Sequence, residues 1–294
     1  MASIAMRTLL PALLVAWVAI LLAPSGAAAT WSVIAIDRAT GQVVVSSATC
    51  VSHEGLLTRG GLKSIQAIVV PGVAVAVAQA GVDATRQNQY LIHGELEKGT
   101  DPREILALLM EDPEIQRRQF AMLDLQGRSV GFSGGRNGAA SLALQGRVPG
   151  TEIFYAVQGN ILASDDVMHD AALAFIEAEG ELTDRVMAAM EAADAAGGDV
   201  RCTCESEPLV EAPCDGKTSH VAYILAANPD DPQGESYNDG DYHLFIDVHD
   251  QNIRPDENAN PVITLRMRYD AWRGGAPGIS GERSSSQGDP QREW

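Results

Sequence analysis

The chain has 294 residues, with 21 Lys and Arg against 39 Asp and Glu, for a formal charge of −18. A surface this acidic repels phosphate backbones and anionic lipid, which sets nucleic acid and membrane surfaces aside as partners. The length suffices for one large domain with a sizeable core.

The first seven residues carry one charge, Arg7, and an apolar run follows over residues 8–23. Pro24, Ser25 and Gly26 then break the run before Ala27, Ala28 and Ala29. That order of charged, apolar and small-residue regions predicts a signal peptide over residues 1–29, cleaved to leave Thr30 first. A membrane anchor is the competing reading, but the run is short for a span of about 20 residues and no charges stop it. The expected location is therefore secreted or periplasmic, with no membrane attachment after cleavage.

Residues 30–37 alternate as a strand, residues 41–50 are Val-rich, and the short link between them predicts a hairpin. Residues 64–70 and 73–79 read as two more strands around Pro71-Gly72. Residues 83–97 predict a helix capped by Asp83, and Asp101-Pro102 predicts the start of a second. Strands return at 119–125 and 129–133. Residues 134–150 are Gly-rich and read as irregular, and 154–158 as a strand. Helices are expected near 165–178 and 182–195, strands at 219–227 and 242–249, and a helix over 258–272. This order is not a regular βαβ alternation. It predicts an α+β fold, a four-layer αββα sandwich of two mainly antiparallel sheets. One domain is expected over 30–273, followed by a disordered tail over 274–294 that is rich in Gly, Ser, Pro and charge.

The four cysteines are Cys50, Cys202, Cys204 and Cys214. In an exported chain an even count predicts disulfides. Cys202 and Cys204 lack the two-residue spacing of common zinc sites. His243 and His249, with Asp247 and Asp250, offer no clear third ligand and read as solvated surface. No phosphate loop or nucleophile elbow is present, and neither metal nor cofactor is expected.

Thr30 is the most informative residue. An N-terminal Thr carries a hydroxyl nucleophile and, in its own α-amine, a base whose ordinary pKa of about 7.7–8.0 lies near working pH. Thr is also a common residue, so position alone leaves the bland reading open.

Several segments sharpen this: residues 30–41 (TWSVIAIDRATG), 47–51 (SATCV), 77–80 (VAQA), 155–163 (YAVQGNILA), and Gly197-Gly198-Asp199 with Arg201. Together they resemble the family catalogued as domain of unknown function 1028, an N-terminal-nucleophile-hydrolase-like family. The insert over residues 202–216 departs from many of its members. The resemblance implies an αββα sandwich with Thr30 at the nucleophile position, and it names no substrate. Under it, Gln158 and Asn160 are candidate oxyanion donors, against a turn-forming Asn. Asp199 and Arg201 either orient the amine and bind a substrate carboxylate or form a structural ion pair. Gln79 lines the pocket or bonds within the core. In that fold Cys50 and Cys202 lie near one edge, which implies Cys50–Cys202 and Cys204–Cys214. The reading is an exported hydrolase acting on an amide bond of a small-molecule or peptide-like substrate. Its alternative is a non-catalytic extracytoplasmic binding or structural module. Either is compatible with a homo-oligomer.

Overall fold

Alternation of apolar side chains builds the centre of the molecule. The computed structural model describes residues 30–275. The expected signal peptide, and all but the first residues of the expected tail, lie outside them. The elements run β1 (Thr30–Asp37), β2 (Gln42–Thr49), α1 (His53–Leu57), α2 (Gly61–Gln66), β3 (Ala67–Val70), β4 (Ala74–Ala80), α3 (Gln87–Glu97) and α4 (Pro102–Leu109). After a 3₁₀ turn over Ile115–Arg117 come β5 (Arg118–Asp124), β6 (Ser129–Ser133), β7 (Leu142–Arg147), β8 (Ile153–Asn160), α5 (Asp166–Glu177), α6 (Leu182–Ala195), β9 (Val221–Ala227), β10 (Leu244–His249) and α7 (Pro261–Arg273).

Sheet one has six strands in the order β10-β9-β2-β1-β8-β7, and sheet two has four in the order β3-β4-β5-β6. Every pairing is antiparallel. Because side chains alternate between faces, each strand feeds two layers. Trp31, Val33 and Ala35 of β1 pack under α5, α6 and α7, with Phe175, Val186, Met190 and Leu265. Ile34 and Ile36 face the other way and meet Val75, Val77, Ala121 and Leu123 of sheet two. The far face of sheet two, with Ile68, Ala76 and Phe120, packs under α3 and α4 through Ile92, Leu96 and Ile105. Helices, sheet, sheet and helices thus form the expected αββα sandwich, with an apolar layer at each of its three interfaces.

Local signals account for most element ends. Asp101 caps α4 by accepting from the Arg103 amide, with Pro102 in the first turn. α3 begins four residues later than Asp83 suggests. Asp83 instead accepts from the Thr85 and Asn88 amides, and Arg86, left-handed at φ 61°, precedes the helix. The expected strand over residues 64–70 is half helix, since α2 occupies its first three residues. The Gly-rich stretch contains β7, which pairs along β8 from Leu142–Gly159 to Arg147–Phe154.

The structure forms disulfides Cys50–Cys202 and Cys204–Cys214. The first joins the end of β2 to the segment after α6, and the second closes the insert on itself.

Candidate functional site

The layer between the sheets changes character along the strands. Toward one end its inward positions are Ile34, Ile36, Val43 and Val45. Toward the other, the same faces of β1 and β2 carry Thr30, Ser32, Ser47 and Thr49, all buried. β8 contributes buried Gln158 and Asn160, and sheet two contributes buried Gln79 and Gln119. Eight polar side chains here replace the hydrocarbon that the pattern elsewhere supplies.

Register brings them together. Thr30 lies opposite Thr49 on one side and Asn160 on the other. The Thr30 and Thr49 hydroxyls are 3.1 Å apart. Ser32 lies opposite Ser47 and Gln158, and its Oγ bonds both Ser47 Oγ, at 2.9 Å, and Gln79 Oε1. Ser47 Oγ donates onward to the Trp31 carbonyl at 2.8 Å. Across the seam, Gln79 Nε2 donates to the Thr30 carbonyl at 3.1 Å, to Gln119 Oε1 at 2.7 Å and, weakly, to Asn160 Oδ1 at 3.5 Å. Gln119 Nε2 donates to the Gly159 carbonyl at 2.7 Å. One amide from sheet two therefore ties together Thr30 and the two amides beside it. Gln158 differs: it is fully buried, and neither its Oε1 nor its Nε2 has a hydrogen-bond partner among the described residues.

Two non-glycine residues in left-handed conformation flank the cluster. Ala80 (φ 69°) follows Gln79, and Ile161 (φ 56°) follows Asn160. A β-branched residue with positive φ is a genuine outlier, and such strain concentrates where a site needs it.

The segment after α6 crosses over the start of β1. Gly198 lies against the Trp31 ring so closely that a Cβ there would meet Cη2 at 2.8 Å. Asp199 is fully buried, and its carboxylate accepts from the Arg201 amide and from the guanidinium, at 2.6 Å from Nη2. These two residues thus form an ion pair with each other, and Cys202 staples the segment to Cys50, next to Thr49. His220 donates its amide to the Thr49 carbonyl at 2.8 Å. Burial, with Lys217 nearby, lowers the His220 pKa to about 4, so its ring is neutral near pH 7.

Of the residues singled out from the sequence, Thr30, Asn160 and Gln79 come together, and Gln158 lies one pair further along the same face. Ser32, Ser47, Thr49 and Gln119 complete the cluster. Their signal was polar residues at inward positions of otherwise apolar strands. His243 is exposed, as expected, whereas His249 is half-buried. His243 lies outside β10, edge-on to Trp272 with ring centroids 5.5 Å apart. His249 ends β10, in the cross-strand row His249, Val221, Thr49, Thr30, Asn160. Its ring stacks on His53 at 3.6 Å. Burial first, and His53 second, lower its pKa to about 4.

The family model described as "Family of unknown function (DUF1028)" matches residues 30–212. The crystal structure of protein SPO2555 from Silicibacter pomeroyi, assigned to the same family model, superposes with a TM-score of 0.61 at 19% identity. The match covers 87% of this chain and 94% of that one, and it shows a shared fold. No curated protein matches the sequence. Among the described residues no helix is long and apolar enough to cross a membrane.

Proposed function

The chain belongs to the DUF1028 family of unknown function, and on that premise we propose that it is an exported N-terminal-nucleophile hydrolase that cleaves an amide bond through Thr30. The signal peptide over residues 1–29, the single domain over 30–273 and the tail over 274–294 belong to this reading. The two disulfides and the absence of a membrane-crossing helix among the described residues are compatible with an oxidising extracytoplasmic location.

The observation that carries the proposal is the position of Thr30. It opens a central strand of sheet one at the polar end of the intersheet layer, in register with Asn160 and tied to Gln79. Cleavage before Thr30 frees its α-amine. That amine takes the Oγ proton as Oγ attacks the acyl carbon. Asn160 and Gln158 donate to the oxyanion of the tetrahedral intermediate. Collapse expels the amine product, which takes the proton back from the α-ammonium, and leaves an ester on Thr30. Water, deprotonated by the same amine, releases the acid.

One observation favours the second reading, a binding or structural module without turnover. Asp199 and Arg201 bond each other, and much of the polar cluster is mutually hydrogen-bonded.

The test is N-terminal sequencing of the exported protein, followed by a screen of amide substrates. The expected mature terminus is Thr30. Thr30→Ser retains part of the turnover, while Thr30→Ala, or one extra residue before Thr30, abolishes it. Losing one hydroxyl costs about 1 kcal/mol of stability or less. Full turnover in Thr30→Ala rejects the mechanism.

A further inference from the structure

The Cys50–Cys202 bridge has a third partner. The two Sγ atoms and one ring nitrogen of His220 all lie within 4.8 Å of one another. His220 is 3% exposed, yet its Nδ1 has no hydrogen-bond partner among the described residues. An unpaired buried polar atom is costly, so a buried imidazole with an orphaned nitrogen, grouped with two sulfurs, calls for a physical reason.

The three residues come from separate parts of the chain. Cys50 follows β2, Cys202 follows the Gly197-Gly198 crossing, and His220 precedes β9. The fold, and not local sequence, assembles them. The backbone bond from the His220 amide to the Thr49 carbonyl at 2.8 Å fixes the histidine beside the end of β2.

We propose that the dithiol form of this bridge, with His220, is a binding site for a thiolate-preferring divalent ion such as zinc, masked while the disulfide is intact. Two thiolates and one imidazole match the ligand chemistry of zinc, with bonds of about 2.3 Å to sulfur and about 2.0–2.1 Å to nitrogen. Three protein ligands leave a fourth position for water. In the disulfide form the sulfurs are bonded to each other, and one nitrogen of the buried imidazole, Nδ1, has no partner among the described residues. A phosphine reductant supplies two electrons: the S–S bond breaks, water provides two thiol protons, and its oxygen ends on the phosphine oxide. The ion then displaces both thiol protons to solvent and accepts lone pairs from two thiolates and the imidazole.

The test uses the exported chain, reduced with a water-soluble phosphine without oxygen and titrated with Co²⁺, whose thiolate complexes absorb by charge transfer. The expected result is one Co²⁺ bound per chain, with thiolate charge-transfer absorption. Binding persists in Cys204→Ser/Cys214→Ser, weakens about tenfold or more in His220→Ala, and is absent from the disulfide form. A second measurement needs no histidine variant. Zn²⁺ should slow alkylation of Cys50 and Cys202 in the reduced wild-type chain, but not of Cys204 and Cys214, as peptide mass mapping reads it. The proposal is overturned by no charge-transfer absorption, by binding that requires Cys204 or Cys214, by unaltered alkylation of Cys50 and Cys202, or by loss of the fold on reduction.

Discussion

The two ends of the intersheet layer are made by the same strands and bury their side chains equally well, but they bury different chemistry. Along β1, Ile34 and Ile36 meet Val75 and Val77 in hydrocarbon, while Thr30 and Ser32, on the same face, meet Gln79. The apolar end gains stability from every buried methylene, at roughly 0.8 kcal/mol each. The polar end gains much less, because each of its hydrogen bonds replaces one to water. A chain selected for stability alone would continue the isoleucines and valines to the end of the strand. Under the proposed function, the eight buried polar side chains, one of them an unpartnered amide, and the two left-handed residues beside them are the cost of keeping this end for chemistry.

If that contrast is right, substitutions at the two ends should separate stability from activity. The largest effect is expected from Ile34→Ala, which opens a cavity between the sheets. It should cost about 2–5 kcal/mol in urea unfolding, with the chemistry of any folded fraction unchanged. A cost below about 1 kcal/mol would mean that this layer is not the stabilising one.

The two ends should also differ in their response to acid. His249 lies in the same cross-strand row as Thr30, and its pKa is lowered from 6.5 to about 4. The folded ring therefore resists a proton that the unfolded ring accepts. Its contribution is fully present above about pH 6.5 and is lost as pH falls toward about 4. After allowance for the ring's partial exposure the loss is about 1–2 kcal/mol. Unfolding midpoints measured across that range should show the loss, and His249→Gln should reduce it, leaving the part that His220, also lowered to about 4, contributes. An unchanged slope in the variant would place the acid sensitivity elsewhere.

The smallest stability effect is expected at Gln158. Replacing a buried amide that has no partner by an apolar group of similar shape is close to neutral. Gln158→Leu should therefore shift stability by about 1 kcal/mol or less in either direction, while turnover falls sharply if the amide serves the oxyanion. A large destabilisation would assign Gln158 a structural hydrogen bond instead.

The apolar end was the more legible of the two in the sequence. Alternation in residues 30–37 and the Val-rich runs that follow mark strands directly, and apolar spacing marks α5 and α6. Short elements were harder to read. α1 has five residues and α2 six, too few for a helical period to show. β7 was hidden by the glycines around Leu142 and Leu144. At the polar end, Thr30 was visible through the small residues before it, and Asn160, Gln158 and Gln79 through resemblance. Thr49 and Gln119 were not, because their roles depend on strand register and on one sheet lying over the other. A polar residue at an inward strand position was their one local sign, and it does not say which side chains it meets. Ser32 was the missed clue, a second hydroxyl on the inward face of β1, two residues after Thr30.

The central claim is that Thr30 is a nucleophile set at the polar end of this layer. A β-lactone tests it without knowledge of the substrate, since an activated hydroxyl opens the ring and keeps the acyl group as an ester. After incubation of the correctly processed protein, intact-mass and peptide analysis should find one adduct per chain, on Thr30. The adduct should disappear in Thr30→Ala and in protein that retains one residue before Thr30. An unlabelled protein starting at Thr30, or equal labelling of the Ala variant, would contradict the account.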